Sequence, residues 1–250
     1  MEKVSKRKLY DVLIVLFVFL LSVSIPFPLF IKDETWLYAI DISLRIAFLI
    51  FAFIYMRYNK MYLPENGKLT KSFLLLIPFL LICFSNYFVC LANKSPVKEI
   101  SLMSLSKDIL LCILVAIAEE LVFRVLLYDA FKDYFSPFIA MLLSSLIFGL
   151  IHLFNITSVE MIIPCLIQAL YSFGLGMILC LMYETTHNFL VIVSFHFLFN
   201  FLNDKLVTSL FDYPINLSYY LINLIIALLA IGYFVFLIFL FKRKDSIKKA

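Results

Sequence analysis

The chain is 250 residues long with a net charge of +4, and it is 64% hydrophobic but only 15% charged, giving a mean hydropathy of +1.03. Such a balance excludes an ordinary soluble domain and predicts an all-α, polytopic membrane bundle. The basic residues are scattered around the ends of apolar runs, which argues against a nucleic-acid surface.

About 20 apolar residues span a bilayer, and eight segments qualify, approximately 9–31, 35–56, 71–92, 107–131, 137–155, 159–183, 187–203 and 216–241. The first follows "MEKVSKRK" and carries Pro26 and Pro28 near its end. Its apolar run is too long for a signal peptide and lacks a small-residue cleavage site, so it reads as a retained helix. Asp41 and Arg45 in the second are four residues apart and read as a structural ion pair. "LPENGK" and "KSPVKE" are turn-rich loops on either side of the third. The fourth contains "AEELVFR", residues 118–124. Ser136-Pro137 supplies a cap and a first-turn proline for the fifth, and Thr157 to Glu160 has capping-box spacing before the sixth. In the sixth, Gly174, Gly176 and Ser172 suit close helix packing, and Gln168 is a candidate cavity-lining residue. The seventh is short and opens at His187-Asn188, an interfacial position. One integral-membrane domain is expected over 1–250: three helices in 1–104, a core in 105–203 and a last helix in 204–250.

Lysine and arginine are distributed unevenly over the loops. With the N-terminus inside, fourteen fall on the cytoplasmic side, against Lys32, Lys94, Lys98, Lys107 and Lys205 outside. The positive-inside rule then places both termini in the cytoplasm, which requires an even number of helices. The five cysteines, Cys83, Cys90, Cys112, Cys165 and Cys180, all lie in apolar segments without metal-type spacing and read as small buried hydrophobes. Cys112 lies seven residues before Glu119, on about the same helix face.

Charge inside the fourth segment needs a reason. Glu119, Glu120 and Arg124 oppose insertion by very roughly 7–10 kcal/mol before the neighbouring leucines and valines compensate. Glu120 and Arg124 are four apart with the acid first, the favourable order for a helical ion pair. Glu119 lies about 100° away around the helix and lacks such a partner. It is therefore a candidate general base.

Of three histidines, His152 ends "FGLIH" and His196 opens "HFLFN". A lone histidine in an apolar helix is ordinarily a hydrogen-bonded core residue. Two of them on different helices, with an unpaired glutamate on a third, favour a site. From the cytoplasmic helix ends, Glu119, His152 and His196 lie roughly 18, 22 and 12 Å deep, in one broad band of the bilayer. Asn200 is one turn beyond His196 on the same face and can donate a hydrogen bond into the same space.

"EELVFR", "FGLIH" and "HFLFN" resemble the EExxxR, FxxxH and HxxxN/D motifs of the CAAX protease and bacteriocin-processing (CPBP) family of intramembrane endopeptidases, in the same order on successive membrane helices. The resemblance covers roughly 105–203. It implies that Glu119 activates the attacking water with help from His152. Glu120 and Arg124 would orient the site, and His196 with Asn200 would stabilise the oxyanion. It further implies either a zinc ion, with Glu119, His152 and His196 as candidate ligands, or a metal-free glutamate-water mechanism. Val125 stands where many relatives have glycine, and "ETTHNF" departs from their Thr-Gly-Ser-Leu type of turn. The expected partners are a peptide or protein substrate at the membrane and the lipid bilayer itself.

The Phe/Ile/Lys-rich composition suits a low-GC bacterium, in which prenylated partners are not expected. The resemblance then implies peptide-pheromone or bacteriocin maturation, or immunity, in the plasma membrane. No GxGD follows Tyr128-Asp129, and "FGLGM" lacks a rhomboid-type serine. The alternatives are a catalytically silent scaffold or immunity protein of the same fold, and a proton relay or transporter. The latter predicts an internal repeat that the sequence lacks.

Overall fold

A computed structural model describes residues 2–24, 33–64, 82–212 and 217–247 of the chain. The protein is an all-α membrane bundle. Among the described residues there is no strand, and one isolated antiparallel bridge joins Val97 to Phe211. The helices are α1 (Glu2–Ser24), α2 (Glu34–Tyr58), α3 (Ser85–Ala92) and α4 (Leu102–Glu120). The last of these runs on through a π-helical segment, Leu121–Tyr128, into α5 (Asp129–Lys132). Next come α6 (Pro137–Leu150) with a 3₁₀ turn over Ile151–Asn155, and α7 (Ile162–Thr186). Then α8 (Phe189–Asn200) passes through a second π segment, Phe201–Lys205, into α9 (Leu206–Leu210), and α10 spans Leu217–Ile247.

Among the described residues, four stretches are long and apolar enough to cross a membrane: Thr35–Tyr58, Pro137–Asn155, Val159–Thr186 and Phe189–Leu210. Leu9–Val23 and Tyr220–Phe236 are shorter apolar helices. The fourth expected segment is present as the continuous run from α4 to α5, made less apolar by Glu119, Glu120 and Arg124. Pro26, Pro28, most of "LPENGK" and the first half of the third segment lie outside the described residues.

Local capping explains where several helices start. Asp33 accepts hydrogen bonds from the Thr35 and Trp36 amides at 2.8 and 3.2 Å. Ser136 accepts from Ile139 with Pro137 in the first turn, and Asn188 accepts from Val191. The expected capping box before the sixth segment does not form. Val159–Met161 make a 3₁₀ turn without a side-chain cap, and α7 begins only at Ile162. His187 sits exposed in the left-handed conformation (φ 47°) that ends α7, so the chain reverses within two residues into α8.

Direct contacts fix the relative direction of the helices. Tyr55 near the end of α2 donates to Asp11 near the start of α1, and Tyr38 at the other end of α2 donates to the Lys107 carbonyl at the start of α4. Phe19, Phe48, Phe123 and Phe148 form a run of ring contacts 5.1–5.7 Å apart that ties α1, α2, the first π segment and α6 together. Outward positions such as Ile50, Ile54, Leu190, Leu228 and Leu229 are apolar and exposed, as a lipid-facing surface requires.

α7 is the central helix and packs most extensively on α6 and α10. Its glycines permit that approach: a Cβ on Gly174 would lie 3.0 Å from the Ala230 Cβ, and one on Gly176 would lie 3.1 Å from the Ser145 Cβ. On the facing helix α6, a Cβ on Gly149 would lie 2.6 Å from the Ala169 carbonyl oxygen of α7, which is backbone and cannot rotate aside. Gly149→Ala should therefore push the two helices apart and destabilise the bundle by about 1–3 kcal/mol. The check is a melting temperature several degrees below that of the wild type in detergent; an unchanged value would contradict the packing.

Candidate active site

Glu119 and Glu120 close the α-helical part of α4, and Arg124 falls in the π segment that follows. A π turn leaves backbone groups out of the regular ladder and is frequent at functional sites. Here Ser144 Oγ on α6 donates to the Phe123 carbonyl at 2.6 Å, binding α6 to the distorted turn.

Glu120 and Arg124 form the expected pair, with Nε 3.1 Å from Oε2 and neither side chain exposed. The N–H is not aligned on that oxygen, so the attraction is between charges, not a linear hydrogen bond. Phe148 covers the cation, its ring centroid 4.3 Å from the guanidinium carbon. The other Glu120 oxygen, Oε1, lies 2.6 Å from His196 Nδ1. A carboxylate oxygen accepts a hydrogen bond, so the proton shared in this contact comes from Nδ1. That fixes the ring and turns Nε2 toward Glu119 Oε2, 3.4 Å away.

His152 reaches the same place from the 3₁₀ turn after α6. Its ring packs edge-on against Phe148 at 5.5 Å, and its Nε2 is buried without a hydrogen-bond partner. Phe148 also meets His196 at 5.8 Å. Glu119, His152, His196 and Asn200 all line one cavity of about 270 Å³. Cys112 and Gln168 line it too, in keeping with their positions in sequence.

The six residues singled out in the sequence thus converge from α4, its π segment, the 3₁₀ turn and α8. His187 stays apart. Three features were not read in advance. Phe148, though part of the second motif, had no role, and it is the surface on which Arg124, His152 and His196 all rest. The bond from His196 to Glu120 was not foreseen, since nothing in spacing reports a contact across 76 positions. The third is Asn203, in the second π segment, whose side chain accepts from Ser85 Oγ at 2.8 Å and whose carbonyl accepts from Asn86 Nδ2 at 2.9 Å. An asparagine three residues after Asn200 in an apolar run was the available signal. Asn203→Leu removes the Oδ1 that accepts from Ser85 Oγ and, at 3.3 Å, from the buried Asn86 backbone N–H, and should lower stability by about 1–3 kcal/mol, read as earlier thermal unfolding in detergent. Wild-type stability would show that α3 is held by other means.

Among the described residues, no group of three or more histidine, cysteine, aspartate and glutamate side chains is spaced to hold a metal ion. His196 gives Nδ1 to Glu120 and turns Nε2 toward Glu119. The donor set does not fit a zinc site with three protein ligands.

No curated protein matches the chain. A protein-family model described as "Type II CAAX prenyl endopeptidase Rce1-like" matches residues 102–202, the stretch from the start of α4 into the second π segment. All six converging residues lie inside it. Over this stretch, which holds the cavity's glutamates and histidines, the chain is similar to the CAAX-type family of prenyl endopeptidases.

Proposed function

We propose that the protein is an intramembrane endopeptidase that hydrolyses a peptide bond with water activated by Glu119. The observation that carries this reading is the division of labour in the buried cluster. Arg124 and His196 occupy Glu120, whereas Glu119 and His152, whose Nε2 has no hydrogen-bond partner, line the cavity.

In the proposed reaction a water bound between Glu119 and His152 gives its proton to Glu119 as its oxygen attacks the scissile carbonyl carbon. His152 and Asn200 donate to the resulting oxyanion, and a site shielded from bulk water makes such donors effective. His196, held by Glu120, borders Glu119 with Nε2 3.4 Å from Oε2. Glu119 then passes its proton to the leaving nitrogen as the C–N bond breaks, giving one new carboxyl group and one new amine. No step is routed through a metal.

The substrate class we propose is a membrane-associated peptide, of the kind matured into a pheromone or bacteriocin or neutralised in immunity, in a bacterial plasma membrane. The test incubates synthetic peptides with membranes containing wild type or Glu119→Ala and identifies products by mass. Cleavage by wild type alone supports the reading; products that persist with the variant overturn it.

A further inference from the structure

The same cavity holds a cation that the reaction does not use. Arg45, in the middle of α2, lines it with a side chain only 13% exposed. Its Nε is 3.2 Å from Asp41 Oδ1, the ion pair expected from spacing. That contact engages one edge of the guanidinium. Nη1 is buried and has no hydrogen-bond partner. Lys205, the other cation lining the cavity, has its ammonium 3.5 Å from Asp204. A buried guanidinium N–H without an acceptor is unfavourable, and Asp41 alone leaves this cation beside the cavity incompletely partnered.

The position of Arg45 relative to Glu119 follows from the Tyr38–Lys107 contact, which sets the register of α2 against α4. Arg45 is seven residues on from Tyr38 and Glu119 twelve on from Lys107. At 1.5 Å per residue, Arg45 stands about 8 Å nearer than Glu119 to the end where α4 begins, a gap that a short stretch of extended peptide spans. By the distribution of lysine and arginine, that end faces away from the cytoplasm.

We propose that Arg45 is the binding site for a carboxylate of the substrate, seating an anionic group of the peptide on its open guanidinium edge while the scissile bond lies at Glu119. The planar fork of arginine matches a carboxylate, and Asp41 holds the fork from the opposite edge. The carboxylate is either the C-terminus of the peptide or an acidic side chain. This assignment rests on the endopeptidase reading and adds a specificity determinant to it.

The test measures binding to the full chain, purified in detergent with Glu119→Gln so that bound peptide is not consumed. The probe is a dye-labelled apolar hexapeptide in three forms: free acid, C-terminal amide, and amide with one internal glutamate. With Arg45 present, one anionic form should bind roughly tenfold or more tightly than the neutral amide, the worth of a charge-assisted hydrogen bond. Which form gains identifies the source of the carboxylate. Arg45→Gln should bring all three within about twofold, and Arg45→Lys should keep part of the preference. The double variant Asp41→Asn with Arg45→Gln leaves no unpaired acid in the helix and should behave as Arg45→Gln does. Equal binding of all three forms to the Arg45 protein, preference surviving Arg45→Gln, or no binding of any form would overturn the assignment. Wild type cleaving all three forms equally well would remove the anchor and leave the endopeptidase reading standing.

Discussion

Glu119→Gln is expected to reduce peptide hydrolysis by at least about a thousandfold, within the range for loss of a general base. Glutamine has nearly the same shape and can still meet His196 Nε2, so packing around the 10%-exposed side chain is retained. It cannot accept and release the proton of water. The loss should therefore fall on kcat and leave KM nearly unchanged, the pattern of an interaction made only in the transition state. Glu119→Asp, which withdraws the carboxylate by one methylene, should lie between the two. Steady-state rates on one synthetic peptide, with melting curves as a folding control, are the measurement. Hydrolysis by the glutamine variant within tenfold of wild type would remove Glu119 from the chemistry.

Arg124→Ala should act chiefly on the folded protein. It removes the cation from a fully buried ion pair and leaves Glu120 with only His196 as a partner. Breaking a buried pair on one side costs about 3–5 kcal/mol, a large share of the stability of a small bundle. The face of Phe148 would lose its covering group as well. Abundance in membranes and melting temperature should both fall, and activity with them. Adding Glu120→Gln to Arg124→Ala removes the stranded acid and should recover much of the folded protein. Turnover should stay low, because Glu120 no longer holds the His196 ring as an ionised acceptor. Quantified membrane extracts and per-molecule rates separate the two effects. Normal abundance of Arg124→Ala with normal turnover would contradict the pairing.

Much of the site was legible in the chain. Glu120 and Arg124 are neighbours on one helix, so four-residue spacing was enough to pair them, even though a π turn lies between. The same reasoning left Glu119 without a local partner. Ser136 with Pro137 fixed the start of α6 for an equally local reason, since a cap acts within one turn. The capping box expected at Thr157 to Glu160 failed because the chain there makes a separate 3₁₀ turn first. Spacing reports which groups are available to cap, and the path of the connecting turn decides whether they do.

The sequence by itself determined that this protein lives in a bilayer and that Glu119, Glu120 and Arg124 interrupt one apolar helix, because composition and helical periodicity are local properties. Only the tertiary structure decided that His196 binds Glu120 while His152 stays open, and that Phe148 is the floor beneath both rings. It also decided that Arg45 lines the cavity with one buried N–H left without an acceptor. Those outcomes depend on helix register and on two π turns. Rotation about a helix axis by a fraction of a turn changes which side chains meet, and no spacing within one segment encodes it.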